Sequence, residues 1–598
     1  MKDFIKNVFS SALGFFLALG VMLLAGIIFM VGAVASSGSK PTVKDGSVLL
    51  ISLNGAMQEQ VQDNPLSSIM GGGDGLGLSD VLEAIRKAKH IDKIKGIYLD
   101  GGSLAAEPAS LQEVRKALAD FRESGKFIVA YADNYMQGSY YLASVADKVA
   151  LNPSGMVFWK GLCSMQMFYK DALEKLGVNV QVFKVGTFKS AVEPFIRTGM
   201  SEPNREQVTS YLNSVWNNFV ADVSESRHIP AEQLQALADE FQGFREAGEL
   251  VENRLVDTLV YIDGAKALLK SQAGVKEKDK LNLLSVADVC QLDDPKAKSS
   301  KNKVAVYYAF GDIVDEAPNS INPAQGANIV GQKVVKDMQQ LEDDKDVKAV
   351  VLRINSGGGS AYASEQMWHA IKKLDAKKPV IISMGGLAAS GGYYMSCAGQ
   401  YIFAEPTTIT GSIGIFGMIP DVSGLLRNKA GLKFDNVKTN KMADFDANMS
   451  GYGTMSRPFS EEEGALLQNE VERGYALFLS RVAEGRRKTS QQVDSIGQGR
   501  VWTGEQALGI GLVDKLGTLD DAIAYAAQKA KLGKDYQAAS YPEAEPWYMN
   551  LLNEKKSGYY DSQLRQALGD LYEPYMMVRT IGRQDFVQAR LPYTMNIH

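Results

Sequence analysis

At 598 residues the chain is too long for a single hydrophobic core, and 45% hydrophobic with 22% charged residues is a folded rather than a disordered composition. A formal charge of -5 and a pI near 5.7 argue against a broad nucleic-acid footprint, which would be basic. Three dispersed cysteines and four histidines, without CxxC or HExxH spacing, argue against a disulfide framework, a metal site or a histidine-based triad.

The amino terminus carries the clearest local signal. No charged residue occurs from Asn7 to Gly38, and residues 8–35 are almost wholly apolar, longer than the ~20 residues that cross a bilayer. Lys2 and Lys6 precede this run, which favours a cytoplasmic tail over residues 1–7 and a transmembrane anchor over 8–35. A signal peptide cleaved near Ala33-Val34-Ala35 is the competing reading. Under both, the chain beyond about residue 40 is exported.

The exported part reads as two similar halves, expected at 46–292 and 304–534. VLLISLNG at 48–55 matches VAVYYAFG at 304–311, IKGIYL at 94–99 matches VKAVVL at 347–352, and GSYY at 138–141 matches GGYY at 391–394. Leu255-Val-Asp257 matches Leu512-Val-Asp514, and the offset stays between 253 and 257 throughout. In each half, β-branched runs such as Val380-Ile-Ile382 alternate with helical patterns, which predicts an α/β core of largely parallel strands. A long amphipathic helix follows in each. Val208, Tyr211, Val215 and Phe219 mark the first; Val471, Tyr475, Phe478 and Val482 mark the second, with a capping box predicted at Ser460–Glu463. The polar stretch 293–303 (DDPKAKSSKNK) reads as the linker, and residues 535–598 as a C-terminal extension without an assigned role. The glycine-rich loop at 71–77 has no Walker lysine and is read as flexible rather than phosphate-binding.

Chemistry concentrates in the second half. Asn355-Ser-Gly-Gly-Gly-Ser360 follows a predicted strand, where glycines let backbone N–H groups face a ligand. Gly385-Gly-Leu-Ala-Ala-Ser390-Gly-Gly-Tyr-Tyr394 sets one serine among small residues at a strand-to-helix turn, as a nucleophile requires. Taken alone, either motif is more commonly a small-residue turn with a capping serine. The comparison of halves changes the balance: Gln137 stands opposite Ser390, so the turn does not need serine to fold. Conversely, Lys189 lies in the largely apolar stretch FKVGTFKSAVEPF at 183–195, and its second-half counterpart falls near Ala443. Complementary loss suggests one composite site, against the default of a surface lysine in a loop.

GGLAASGGYY, the following TGSIGIFG, and KSAVEPF together resemble bacterial signal peptide peptidase A of the long, duplicated type, from the amino-terminal run to about Lys534. The resemblance implies tandem crotonase/Clp-protease-like α/β domains behind one transmembrane helix. It implies a serine peptidase with Ser390 as nucleophile and Lys189 as base, and oxyanion amides at Gly358 and Gly391. It also implies peptide substrates left from cleaved signal peptides, no cofactor or metal, and a homotetramer on the periplasmic side of the bacterial inner membrane. The family's loop usually has proline where Gly357 stands, which loosens the expected loop geometry. Residues 410–416 are expected to offer substrate a strand edge, with Gly411, Ser412 and Ile413 in contact. A non-catalytic membrane scaffold and an acyl-coenzyme-A hydrolase are the competing function classes; export from the cytoplasm argues against the second.

Overall fold

In the computed structural model of the chain, residues 41–61, 75–297, 299–316, 328–450, 453–542 and 587–590 are described, with scattered positions between 14 and 26. The expected tail over 1–7, most of the expected anchor over 8–35 and most of the loop at 71–77 lie outside the described residues. Among the described residues no helix is long and apolar enough to cross a membrane.

The first half builds a parallel sheet from β1 (Ser47–Gln58), β2 (Ile94–Ala105), β3 (Phe127–Tyr135) and β4 (Lys148–Val157). β5 (Asn179–Lys184) leaves that sheet, whereas β6 (Thr258–Leu259) and β7 (Leu283–Leu284) complete it in the order β7–β1–β2–β3–β4–β6. The helices used below are α1 (Pro108–Arg122), α2 (Gln137–Ala143) and α3 (Glu202–Arg227).

The second half begins with β8 (Lys303–Phe310), β9 (Asp312–Val314), β10 (Asn328–Val330), β11 (Val347–Ser356) and β12 (Gly358–Ser360). β13 (Val380–Ala389) leads through α4 (Gly391–Ser396) to β14 (Tyr401–Ala404), β15 (Ile409–Gly411) and β16 (Phe416–Asp421). After α5 (Glu461–Arg486) come β17 (Val501–Thr503), β18 (Lys515–Leu516) and β19 (Gln537–Tyr541), with β20 (Val587–Arg590) near the end of the chain. Its parallel sheet, β19–β8–β11–β13–β14–β18, repeats the first in order and direction. β19 takes the place that β7 holds in the first half, so the second unit runs on to Tyr541, past the boundary expected at 534. Both faces of this sheet are covered, which explains the near-continuous apolar runs in β11 and β13. Leu352 and Ile382 pack with Met367 and Ile371 on one face; Val351 and Ile381 pack with Ala522 and Ala526 on the other.

The duplication extends to individual contacts. Tyr140 donates its hydroxyl to the Leu255 carbonyl at 2.9 Å, and Tyr393 does the same to Leu512 at 2.8 Å. Tyr141 stacks on Phe219, and Tyr394 on Phe478. Arg227 pairs with Asp257 and Arg486 with Asp514, at 2.8 and 2.7 Å. Each long helix is capped by a serine, Ser201 or Ser460, and the box predicted at Ser460–Glu463 is formed.

Two features join the halves. β5 pairs antiparallel with β16 over six residues, from Phe416 opposite Lys184 to Asp421 opposite Asn179, in a third sheet ordered β10–β9–β12–β20–β16–β5. The second feature is a buried polar seam. Arg353 on β11 binds Glu59 and Glu113 of the first half at 2.6 Å each, and all three side chains are at most 3% exposed. Arg353 also donates to Ser383 Oγ and the Met384 carbonyl. Beside it Lys116 on α1 pairs with Glu405, and Thr407 donates its amide and hydroxyl to Gln112.

Removing one member of a buried ion cluster leaves uncompensated charge, at a cost of about 3–5 kcal/mol. Arg353→Ala is therefore expected to lower the urea unfolding midpoint markedly. Adding Glu59→Gln and Glu113→Gln to that variant should recover part of the loss. An Arg353→Ala midpoint equal to the parent's would show that the seam does not hold the halves together.

Candidate active site

Lys189 and Ser390, 201 residues apart and from different halves, meet in a buried contact: Lys189 Nζ is hydrogen-bonded to Ser390 Oγ at 2.8 Å. The route is visible in the strands. β5 crosses into the third sheet and ends at Lys184, opposite Phe416 at the start of β16, and the chain that follows passes Ile415, whose carbonyl accepts the Val185 amide at 3.2 Å. A turn of the second half then grips Lys189. The Gln498 carbonyl accepts the Phe188 amide at 2.9 Å, and a Cβ on Gly499 (φ +78°) would lie 2.6 Å from Lys189 Cβ. Gln207 on α3 closes the other side, donating to Phe188 O and Ser190 Oγ while its own carbonyl accepts the Val501 amide.

The lysine amine has two further contacts, to the Ser412 carbonyl at 3.2 Å and to Ser412 Oγ at 3.0 Å. Among the described residues no carboxylate is hydrogen-bonded to it, and the Phe416 ring centroid lies 5.9 Å away. Burial without a counter-charge disfavours the ammonium form, and the Lys189 pKa falls from 10.5 to about 7. Ser390 itself is held at φ 55°, ψ -112°, a conformation that non-glycine residues rarely adopt and that costs on the order of 1–3 kcal/mol. Its amide donates to the Gly411 carbonyl and its carbonyl accepts the Tyr394 amide, both at 2.8 Å, so the turn is pinned from two sides. This strained turn at the start of α4 aims Oγ at the lysine.

Gly358 and Gly391 are neighbours across the turn: a Cβ on Gly358 would come within 2.7 Å of the Gly391 nitrogen. The Gly358 N–H donates to Ser356 Oγ at 3.1 Å, so it is engaged in this structure. Asn355, just before the glycines, is held by Glu107 of the first half (2.7 Å) and accepts the Leu387 amide (3.0 Å). Burial, then repulsion from Glu59, pushes Glu107 up to about 7, against the lowering effect of Asn355.

The expected substrate edge is displaced. Both edges of β15 are taken, by β13 and β17, so Gly411 cannot pair with a peptide. Ile413 is buried in the core, and Ser412 faces the lysine instead of the cleft. The edge that an added strand does use is Phe416–Gly417 on β16, opposite β12. In the first half Gln137 fills the place of Ser390: its side-chain carbonyl accepts the Lys160 and Gly161 amides at 3.0 Å each. Two residues that matter here escape a reading of the sequence, Ser412 as a lysine partner and Gly499 as its seat. The only sequence signal for the second is the glycine-punctuated turn Gly497-Gln498-Gly499.

The chain matches the model of peptidase family S49 at residues 120–276 and 372–533, and that of Clp protease at 321–409. It is 38% identical over 527 residues to Protease 4 of Salmonella typhi, covering 86% of this chain and 80% of that protein. Protease 4 of Haemophilus influenzae is 37% identical over 467 residues, covering 76% and 73%. The chloroplastic serine protease SPPA of Arabidopsis thaliana is 32% identical over 495 residues, covering 82% and 70%. A solved ClpP1 mutant from Listeria monocytogenes is 16% identical, with a TM-score of 0.23, the match covering 37% of this chain and 95% of that one.

A depressed lysine pKa costs stability, and the sign follows from proton counting. Between about 7 and 10.5 the unfolded chain binds more protons at Lys189 than the folded chain, so stability rises with pH across that window. At pH 7 the cost is about 4 kcal/mol. Lys189→Met keeps similar bulk without the ionisable group, and it is expected to raise thermal stability at pH 7, by a margin that shrinks toward pH 10. The measurement is the melting temperature of variant against parent at each pH. A variant no more stable than the parent at pH 7 would mean that Lys189 is charged and solvated.

Proposed function

This chain belongs to peptidase family S49 and is a serine peptidase, and we propose that it cuts extended apolar peptides with Ser390 as nucleophile and Lys189 as general base. The observation that carries the assignment is the 2.8 Å contact between the two side chains at a lysine whose pKa burial brings to about 7. When the amine is neutral, its two N–H groups are directed at the Ser412 carbonyl and hydroxyl, and its lone pair is left for the Ser390 proton. Ser390 Oγ then adds to the scissile carbonyl. Charge on the carbonyl oxygen is stabilised by the Gly391 amide at the start of α4, worth about 3–4 kcal/mol per donor. Gly358 serves as second donor if its N–H turns from Ser356 Oγ to the oxyanion. Lys189 passes its proton to the leaving amine, and in the second step takes one from water as the acyl-enzyme is hydrolysed.

Backbone pairing along β12 and β16 suits substrates recognised by extended conformation more than by side chain, such as remnants of cleaved signal peptides. The apolar run over 8–35 supports a single-pass inner-membrane anchor, with residues beyond about 40 on the periplasmic side. We further propose a homo-oligomeric ring of four copies. Met165 and Val437, almost fully exposed, are apolar surface of the kind that subunit contacts would cover.

Ser390→Ala is expected to lower peptide hydrolysis by at least about 10³-fold with folding intact, since the turn is held by the backbone amide and carbonyl of residue 390, which alanine keeps. Mixing Ser390→Ala chains with Lys189→Ala chains should restore nothing, because each functional pair comes from one chain. Recovery of activity in the mixture would place the dyad between chains instead.

A further inference from the structure

The first half's counterpart of the glycine loop reaches across the seam. Glu107 is the residue before α1, and Ser360 is the residue before the matching helix Ala361–Asp375. Ser360 caps its helix by accepting the Ala363 amide at 3.1 Å. Glu107 makes no such bond to α1; its carboxylate instead accepts Asn355 Nδ2 of the second half at 2.7 Å. The Asn355 side chain in turn accepts the Leu387 amide at 3.0 Å. Ile354 pairs with Met384 and Ser356 with Ala388, so Asn355 alone on β11 faces Gly385, Gly386 and Leu387 on β13. The two glycines make room there for carboxylates. A Cβ on Gly386 would lie 2.2 Å from Glu107 Oε2, and one on Gly385 would lie 3.2 Å from Glu59 Oε2. Three residues beyond Asn355 stands Gly358, and three beyond Leu387 stands Ser390. Asn355 therefore ties together the segments that carry an oxyanion glycine and the nucleophile, and Glu107 holds Asn355. The charged groups around Glu107 are Glu59 and Arg353, and Arg353 is already engaged by Glu59 and Glu113. A carboxylate without a cation of its own is costly at such a seam, where an apolar side chain would pack without that penalty.

We propose that Glu107 is a positioning residue of the peptidase: through Asn355 it fixes the Gly358 loop against the Ser390 turn, and with it the distance between the Gly358 and Gly391 amides. The proposal rests on the Ser390–Lys189 reading. Glu107 touches no reacting atom; what it supplies is preorganisation. Without its carboxylate, Asn355 Nδ2 keeps only Glu59 Oε2, at 3.5 Å, and the side chain is released from the Leu387 amide. The amide oxygen of a glutamine accepts from Asn355 as a carboxylate does, so Glu107→Gln keeps the clamp and removes the charge. Loosening the loop weakens the bonds to the oxyanion more than those to a bound peptide, because only the oxyanion needs both amides at one point. The loss therefore falls on kcat and on the binding of tetrahedral analogues, and little of it on KM.

The test is hydrolysis of a synthetic apolar peptide by the full-length chain, with kcat expressed per site titrated by a fluorophosphonate. Inhibition by the peptide aldehyde of the same sequence is read beside it, since its adduct with Ser390 resembles the tetrahedral intermediate. Glu107→Ala is expected to lower kcat about 30-fold with KM within about twofold of the parent, and to weaken the aldehyde by a similar factor. The pH midpoint of kcat/KM, set by Lys189, should not move. Glu107→Gln should stay within about threefold of the parent, because the acceptor for Asn355 is kept. Asn355→Ala should match Glu107→Ala, and the double variant should be no worse than either, because both remove one clamp. Gly386→Ala keeps the carboxylate but fills its seat, and it should show the same loss even if Glu107→Ala does not fold. A loss per titrated site of less than about fivefold in Glu107→Ala, or parent-like kcat in Gly386→Ala, overturns the proposal and leaves the dyad standing. A Glu107→Gln variant as impaired as Glu107→Ala overturns it too. A Ser390→Ala chain that hydrolyses the peptide at the parent rate overturns the dyad reading and the positioning role together.

Discussion

Everything at this site depends on removing one lysine from water without giving it a counter-charge. Among the described residues Lys189, 1% exposed, meets hydroxyls, a carbonyl and the Phe416 ring but no carboxylate, and burial lowers its pKa to about 7. The rest of the architecture can be read as the means of keeping it there. β5 carries the chain from one half into the sheet of the other, the turn at Gln498–Gly499 closes over the lysine backbone, and Ser412 orients the amine. The strained backbone at Ser390 is tolerated because hydrogen bonds on both sides of the turn overdetermine it.

Duplication explains how one chain could divide this labour. Two copies of the same sheet share order, direction and even the tyrosine–carbonyl bond made from the short helix that contains Tyr140 or Tyr393. Each has lost what the other keeps. Gln137 satisfies loop amides in the first half where Ser390 faces a lysine in the second. The Ser390–Lys189 contact therefore depends on the relative position of the halves. Arg353 of the Glu59–Arg353–Glu113 cluster lies on the strand that leads into the glycine loop, and Glu107 holds Asn355 directly, so the seam between halves and the loop beside Ser390 are one network.

Much of this was legible in the sequence because it is encoded locally or twice over. The alternating β-branched runs announce the α/β core, the paired motifs announce the duplication, and the mismatch of Gln137 with Ser390 isolates the serine. Lys189 stands out for the same reason. What was not legible depends on contacts between distant segments. Ser412 has no signature as a lysine partner and Gly499 only that of a glycine-punctuated turn, since their roles exist only where β5 delivers the lysine. Gly411–Ile413 looked like a free strand edge, but β13 and β17 occupy both sides of β15, a fact of topology that no local pattern reveals. The four residues of β20 are too short and too ordinary to be read as a strand; only the space between β12 and β16 makes them one.

Lys189 is expected to lose its proton near neutrality and thereby activate Ser390. The direct measurement is the second-order rate of Ser390 modification by a fluorophosphonate across pH 5 to 11, followed by intact mass. The account predicts a rate that rises with pH and levels off above a midpoint near 7, the value burial gives to Lys189. A rate that keeps climbing toward 10.5, the ordinary value for lysine, would contradict it.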